Sequence, residues 1–285
     1  MDRPPVDLPG TDPAGAVVVV TGGGRGIGAG LVERFARHGA AVVVAADLDG
    51  AAAQEVAARV GAAHPGSTAV AEQLDVADGA AVGALVERAR QRYGPVDVFV
   101  ANAGIGAGGG LDATDEQWQR AWDVNLMAHV HAARAVVPAM VARGGGWFVT
   151  TASAAGLLTN LGNAPYSVTK HAAVAFAEWL AVTYGEQGLR VSCVCPMGID
   201  TAMVREGLDR LEGASVAAQG VLSVDEGVDA VMAGLLAGRF LVLTHPETAT
   251  YEQNRVADRD RWIAGMQRLQ RSVLAELERT GRLAP

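Results

Sequence analysis

Tyr166 and Lys170 stand four residues apart, and Ser153 lies thirteen residues before the tyrosine. Residues at i and i+4 share a helix face, so phenol and ammonium become neighbours if this stretch is helical. An adjacent ammonium favours the phenolate and should lower the phenol pKa from its ordinary value near ~10 toward the range where it can trade protons. A second cluster, Thr21-Gly22-Gly23-Gly24-Arg25-Gly26-Ile27-Gly28, follows a valine run near the front of the chain. Glycines there allow a tight turn and close approach of a pyrophosphate. A helix opening at Gly26 would add unpaired N–H groups and a positive dipole end. The spacing differs from the G-x-G-x-x-G dinucleotide fingerprint, and no Lys-Ser/Thr follows as in a nucleoside triphosphate loop. A hydroxyl, a tuned phenol and a phosphate loop together suit hydride exchange with a nicotinamide.

Short valine-rich runs alternate with longer alanine-rich amphipathic segments, and this alternation has to position those groups. Strands are expected at Ala16–Val20, Ala41–Ala46, Thr68–Leu74, Val96–Val100, Trp147–Thr151, Leu189–Cys195 and Phe240–Leu243. Helices are expected between them, with Asp49 and Asp78 as N-caps and a long helix over Thr114–Arg143 bent at Pro138. Strands separated by helices imply crossovers, hence a single α/β domain with a Rossmann-like, doubly wound parallel sheet of about seven strands covered by helices on both faces. The expected organisation is a flexible tail over 1–14, the dinucleotide-binding and catalytic domain over 15–250, and a helical extension over 251–285. In the extension, Trp262, Met266, Leu269 and Val273 recur at helical spacing, which suits packing on the body or on another subunit.

Asp47 closes the second strand, where a carboxylate can hold ribose hydroxyls and repel a 2′-phosphate. Arg25 pulls the other way, because a guanidinium in the loop could pair with that phosphate. Asp49 could share the role of Asp47. NAD is therefore preferred, with NADP as the alternative.

The chain has 285 residues, half of them hydrophobic but only 5% aromatic, so its core must be built mainly from Ala, Val and Leu. A formal charge of −8 argues against a general nucleic-acid binder, which needs a basic face. Met1–Gly15 lacks the apolar segment of a signal peptide, and no run approaches the ~18 apolar residues expected of a spanning helix. The expectation is a soluble cytoplasmic protein with no membrane partner. Cys193 and Cys195, at i and i+2 on a strand, would face one side as small buried hydrophobes without a disulfide. His129 and His131 cannot share a helix face, and no metal site is expected.

Several of these motifs, in order, resemble the short-chain dehydrogenase/reductase family over roughly Ala16–Met203. The family's Thr-Gly-x-x-x-Gly-x-Gly is matched by Thr21–Gly28, and its Asn-Asn-Ala-Gly appears as Ala101-Asn102-Ala103-Gly104, with Ala in place of the first Asn. Asp75-Val76 resembles its adenine-pocket element, Asn125 its helix asparagine, and Ser153 with Tyr166-Ser167-Val168-Thr169-Lys170 its serine and Tyr-x-x-x-Lys motif. The resemblance implies Tyr166 as general acid/base and Ser153 as the group that orients the substrate oxygen. It implies Lys170 as tuner of the tyrosine and holder of the nicotinamide ribose, and Asn125 as anchor of a proton-relaying water. Cofactor contacts are implied at Gly22, Arg25, Gly26, Ile27, Gly28, Asp47, Asp75, Val76, Asn102, Ala103, Gly104, Tyr166, Lys170, Ile199 and Thr201. Two departures stand out. Met197 replaces the glycine of the family's Pro-Gly element, and the acidic residue of the second strand comes one position late.

The segment from Met203 to about Leu222 mixes apolar residues with Gly207, Gly213 and Gly220, as a mobile apolar lid would, although an amphipathic surface helix fits too. With Leu157, Leu158 and Leu161 as a facing wall, the expected substrate is an apolar secondary alcohol or ketone, cyclic or polyketide- or terpenoid-like. Three functions compete: an NAD-dependent alcohol dehydrogenase or ketone reductase, an NADPH-dependent biosynthetic ketoreductase, and a cofactor-binding regulator without catalysis. Comparing NADH with NADPH turnover separates the first two, and the filled Ser153/Tyr166/Lys170/Asn125 set speaks against the third. The family also implies a homodimer or homotetramer.

Overall fold

A run of small or β-branched apolar residues bounded by polar turns makes a strand that can be covered on both faces. Val17–Thr21 (β1) is such a run and is buried throughout. The computed structural model describes residues 12–217 and 219–281. After β1 come α1 (Gly26–Arg37), β2 (Val42–Asp47), α2 (Gly50–Ala63), β3 (Thr68–Gln73), α3 (Gly79–Tyr93) and β4 (Val98–Ala101). The second half runs α4 (Asp115–Trp122), α5 (Ala128–Ala142), β5 (Gly146–Thr151), α6 (Ala164–Tyr184) and β6 (Leu189–Cys195). The chain then continues through α7 (Ala202–Glu206), α8 (Leu211–Ala217), α9 (Val224–Leu236), β7 (Leu241–Leu243), α10 (Glu247–Ala257) and α11 (Arg259–Arg279).

The strands form one seven-stranded sheet in the order β3-β2-β1-β4-β5-β6-β7, every neighbouring pair parallel. The expected doubly wound α/β fold is therefore present. Alternate residues of β1 enter opposite cores. Val17 and Val19 join Phe99, Phe148 and Leu180 on one face, while Val18 and Val20 join Leu31, Phe35 and Trp147 on the other. The chain reverses its winding between β1 and β4, and the carboxyl ends of those strands open the crevice in which ligands of such sheets sit.

Asp49 and Asp78 cap α2 and α3 as expected, their carboxylates accepting the N–H groups of Ala52 at 3.0 Å and Ala80 at 2.8 Å. The long helix differs from expectation. Pro138 lies inside α5, and a π-helical turn at Asp123–Met127 interrupts the long helix as well. That turn carries Asn125 and buries it completely, in keeping with the placement of such bulges at functional positions. The stretch Asp115–Ala142 also corrects the reading of spans: it matches a membrane-crossing helix in length and composition. More than half of its apolar window is nevertheless buried inside the protein, as in a core helix.

Cys193 and Cys195 are free and buried, with sulfurs 3.8 Å apart. The extension is two helices rather than one, divided at Asp258, whose side chain caps α11 by accepting the Arg261 N–H at 2.9 Å. Residues 1–11 of the expected tail and 282–285 of the extension lie outside the described residues. Pro13 is buried, and its carbonyl accepts the Ala16 N–H at 3.0 Å.

Candidate active site

The glycine turn between β1 and α1 is fixed by close approaches that only glycine permits. A Cβ on Gly28 would sit 1.9 Å from the Gly22 carbonyl oxygen, and Gly22 itself holds a positive φ of 65°. No side chain caps α1, so its first N–H groups remain directed at the crevice. The loop after β4 is stitched to this turn. The Thr21 hydroxyl accepts the Asn102 and Ala103 N–H groups at 3.0 and 3.2 Å, and Asn102 Nδ2 donates to the Thr21 carbonyl at 3.0 Å.

Asp47 braces the turn from the β2 side. Its Oδ2 accepts the Gly24 N–H at 2.9 Å and its Oδ1 the Asp49 N–H at 3.0 Å. Arg25, the candidate phosphate partner, instead ion-pairs with Asp49 on the rim. The Asp49 carboxyl is held below its usual range first by the Ala52 N–H and then by Arg25.

Around this cradle runs a groove of about 1450 Å³, its open mouth included. Every sequence-predicted cofactor position lines it: Gly22, Arg25, Gly26, Ile27, Gly28, Asp47, Asp75, Val76, Asn102, Ala103, Gly104, Tyr166, Lys170, Ile199 and Thr201. Leu48, Leu74, Arg120 and Thr151 line it as well and were not foreseen. Thr201 closes over the turn, its Cγ2 lying 3.2 Å from where a Cβ of Gly26 would be.

Tyr166 enters the first turn of α6, which Asn163 caps by accepting the Tyr166 N–H at 3.2 Å. One turn on, Lys170 is 3% exposed, its Nζ lying 5.7 Å from the phenol ring centre and donating to the Thr151 carbonyl at 3.0 Å. A side chain at Gly104 would begin 3.2 Å from that Nζ. Burial draws the Lys170 pKa down to about 8. The expected lowering of the Tyr166 pKa is not what this environment produces. Burial pushes the phenol up, the Ser153 hydroxyl pulls it down, and Cys195 adds a smaller upward push. Tyr166 keeps some exposed surface at the cleft, so solvent moderates the upward push. The direction follows from packing: desolvation of the phenolate outweighs the Ser153 hydrogen bond that favours it.

Asn125 does not line the groove. Its Oδ1 accepts the Ile105 N–H at 2.8 Å, while Nδ2 donates to the Ile105 carbonyl at 3.0 Å and the Thr169 hydroxyl at 3.3 Å. The carboxamide thus pins the loop after β4 to α6, beneath Lys170.

A second cavity of about 870 Å³, open solvent included, meets the groove at Ser153 and Tyr166, which line both, as do Met197, Met203 and Val204. Its apolar walls include Leu158 and Leu161 of the expected three, and Val216 from α8, whereas Leu157 is buried in the core instead. Met266 and Leu269 of α11 were not assigned to it from sequence, because helical spacing says that a stripe is covered but not by what. Glu212 is the single formally charged side chain on this lining among the described residues, and burial raises its pKa. The lid leaves and rejoins the body at one neck. There the Leu222 N–H donates to the Gly198 carbonyl at 2.9 Å, and the Leu222 carbonyl accepts the Asp200 N–H at 2.9 Å. Met197 is tied down beside it, its N–H donating to the Thr244 hydroxyl at 3.3 Å. Among the described residues no cluster of metal-ligating side chains occurs.

The short chain dehydrogenase profile matches residues 16–211. An uncharacterized NAD-dependent oxidoreductase of Mycobacterium tuberculosis is 37% identical over 202 residues, covering 67% of this chain and 74% of the relative. A 1-deoxy-11-beta-hydroxypentalenate dehydrogenase of Streptomyces avermitilis is 36% identical over 242 residues, 82% of this chain and 86% of the relative. A crystal structure of a Burkholderia phymatum short chain dehydrogenase/reductase in complex with NAD superposes with a TM-score of 0.79 at 29% identity, covering 87% of this chain and 95% of that one.

Proposed function

This chain belongs to the short chain dehydrogenase family, and we propose that it moves a hydride between a nicotinamide dinucleotide and the carbinol carbon of an apolar secondary alcohol or ketone. The observation that carries this reading is the junction of the two cavities. Ser153 and Tyr166 face both, so one substrate oxygen can reach them while its carbon faces the groove.

The groove fits a dinucleotide on its own terms: a turn where a Cβ has no room, an uncapped helix start, and a buried lysine at the far end. The glycine turn would hold the pyrophosphate, Asp47 the adenosine ribose, Asp75 and Val76 the adenine side, and Ile199 and Thr201 the nicotinamide side. When bound, the nicotinamide supplies the hydride acceptor for oxidation and the donor for reduction. In reduction the hydride goes to the carbonyl carbon and the neutral Tyr166 phenol gives its proton to the oxygen. In oxidation the alcohol loses a hydride from carbon, and its oxygen proton passes to Tyr166 Oη as the phenol's own proton leaves toward solvent. Ser153 keeps the substrate oxygen directed at Tyr166, as a preplaced donor must when charge develops there. Lys170, with its Nζ 5.7 Å from the phenol ring centre, would bring its charge to the phenol and would hold the nicotinamide ribose. Asn125 fixes the loop and helix that carry these groups, and would anchor a water that relays protons.

NAD is the favoured dinucleotide, because Asp47 faces the groove and Arg25 is engaged by Asp49. An apolar substrate follows from the Leu158, Leu161, Met203 and Val216 walls, and the Streptomyces relative's name, that of a hydroxypentalenate dehydrogenase, supports the same class. The protein works as a soluble cytoplasmic homodimer or homotetramer. Val168, Trp179 and Val182, spaced to share one face of α6, are 46%, 53% and 85% exposed and offer an apolar surface for self-association. Sedimentation of wild type against Trp179→Glu would settle that assembly.

The activity is tested with purified protein, NAD or NADP, and a panel of neutral secondary alcohols followed at the nicotinamide absorbance. NAD reduction with apolar alcohols is expected. Turnover of small polar sugars alone would reject the substrate class. Dinucleotide binding without turnover of any alcohol or ketone would favour the regulator reading instead.

A further inference from the structure

The helix α11 begins well beyond the family-matched segment, which ends at residue 211. Its apolar stripe has two destinations. Val273 and Leu277 are buried, whereas Met266 and Leu269 reach the cavity that exposes Ser153 and Tyr166. The start of the helix is anchored to the element that bears those chemistry-bearing groups. Arg255 of α10 hydrogen-bonds His171, the residue after Lys170, at 3.2 Å, and its guanidinium lies 5.5 Å from the ring centre of Trp262. Met266 stands one helical turn beyond Trp262, so this anchor fixes its distance from α6. Across from it, α8 presents Val216, and α11 packs directly on α8.

Resting on the oxidoreductase reading above, we propose that α11 is the specificity wall of the substrate pocket. Met266 and Leu269 select for a rigid, multi-ring apolar body whose carbinol or carbonyl end lies at Ser153 and Tyr166. Three methionines, Met197, Met203 and Met266, border the cavity, and their unbranched, polarizable side chains adapt to a broad apolar face better than to a hydrogen-bonding one. Met266 and Leu269 offer a hydroxyl no partner, so a polyol would lose its hydration on that wall at a cost for each group. The polar lining is carried by other segments, through side chains such as Asn160, Glu212 and Gln219. A single small ring would leave the α11 side of the cavity unfilled and lose those contacts. The extension is thereby a working part of the site and not an appendage for assembly alone.

The test uses the full chain, its preferred dinucleotide, and two neutral ketones, a cyclohexanone and a fused two-ring decalone. Wild type is expected to favour the decalone in kcat/KM. Leu269→Trp is expected to lower kcat/KM for the decalone at least tenfold and for the cyclohexanone less than threefold, with dinucleotide Kd unchanged. Met266→Ala, which removes wall without adding bulk, is expected to raise KM for the decalone selectively and covers the case in which the tryptophan variant does not fold. Parallel changes for both ketones, or no change for either in an active enzyme, would overturn the role of α11 while leaving the oxidoreductase reading intact. If wild type bound the dinucleotide yet reduced neither ketone, the oxidoreductase reading would fall, and this inference with it.

Discussion

The two cavities that meet at Tyr166 are made of different material. The dinucleotide groove is shaped mainly by backbone: the turn from Gly22 to Gly28, the loop Asn102-Ala103-Gly104, and carbonyls and N–H groups held by Thr21, Asp47 and Asn125. The substrate pocket is shaped mainly by side chains, with methionine, leucine and valine from α7, α8, α11 and the segment after β5 and polar groups such as Asn160, Glu212 and Gln219 among them. Backbone recognition tolerates almost no substitution, because a single Cβ collides with a carbonyl. A side-chain wall can be repacked at modest cost. One half of the site is therefore fixed by what every dinucleotide shares, and the other is free to follow a particular substrate.

That contrast can be broken first at the junction. Tyr166→Phe keeps ring and packing but removes the proton carrier, and kcat is expected to fall ~10²–10⁴-fold. Dinucleotide Kd, read by fluorescence titration, should stay within about threefold. A variant with near wild-type turnover would remove Tyr166 from the chemistry. On the groove side, Gly28→Ala places a methyl on the Gly22 carbonyl. Overpacking of that kind costs ~1–3 kcal/mol, expected as weaker dinucleotide binding by calorimetry together with a lower Tm. Unchanged binding would mean that the turn does not hold the pyrophosphate.

Asp47→Ser sharpens the same side. Loss of the carboxylate that would repel a 2′-phosphate should move the NADP to NAD ratio of kcat/KM by roughly tenfold toward NADP, a change of ~1.4 kcal/mol. An unmoved ratio would place the discrimination elsewhere on the rim.

The smallest effect concerns the floor beneath both cavities. His129, on α5 one turn past Asn125, is 1% exposed, and neither ring nitrogen has a hydrogen-bond partner. Burial first, and the charge of Lys170 second, draw its pKa from 6.5 to about 3. The unfolded chain therefore takes up a proton below about pH 6.5 that the folded protein refuses until about pH 3. Stability is full above that window and declines as pH falls through it, by roughly 1 kcal/mol at pH 6. In His129→Leu the decline from this group should vanish, so denaturant titrations at pH 7.5 and pH 6 should give a smaller difference than in wild type. Equal pH dependence in both proteins would show that His129 is not held neutral.

The same contrast explains what could be read from the residues alone. Groove positions were legible because backbone geometry writes itself into sequence as glycine at fixed intervals, and because strand ends place Asp47 and Asp75 at one edge. The α11 wall was not legible in the same way, since the spacing of Met266 and Leu269 would serve equally for a subunit contact. The π-helical turn at Asp123–Met127 has no compositional signature, whereas Pro138 drew attention as the conspicuous helix breaker. The direction of the Tyr166 pKa was missed because burial is a property of the whole packing. A tyrosine and lysine one turn apart reveal charge proximity but not the removal of water.

At the neck beside Ile199, the chain entering the lid is hydrogen-bonded to the chain leaving it. Everything between those two points hangs from a clasp already fastened to the sheet by Met197 and Thr244. The entropy of closing such a loop grows only slowly with its length. The part of the excursion beyond Val204 can be lengthened, shortened or rewritten while the clasp stays put. One scaffold can in this way be refitted to new alcohols by editing that segment together with the α11 face packed on it.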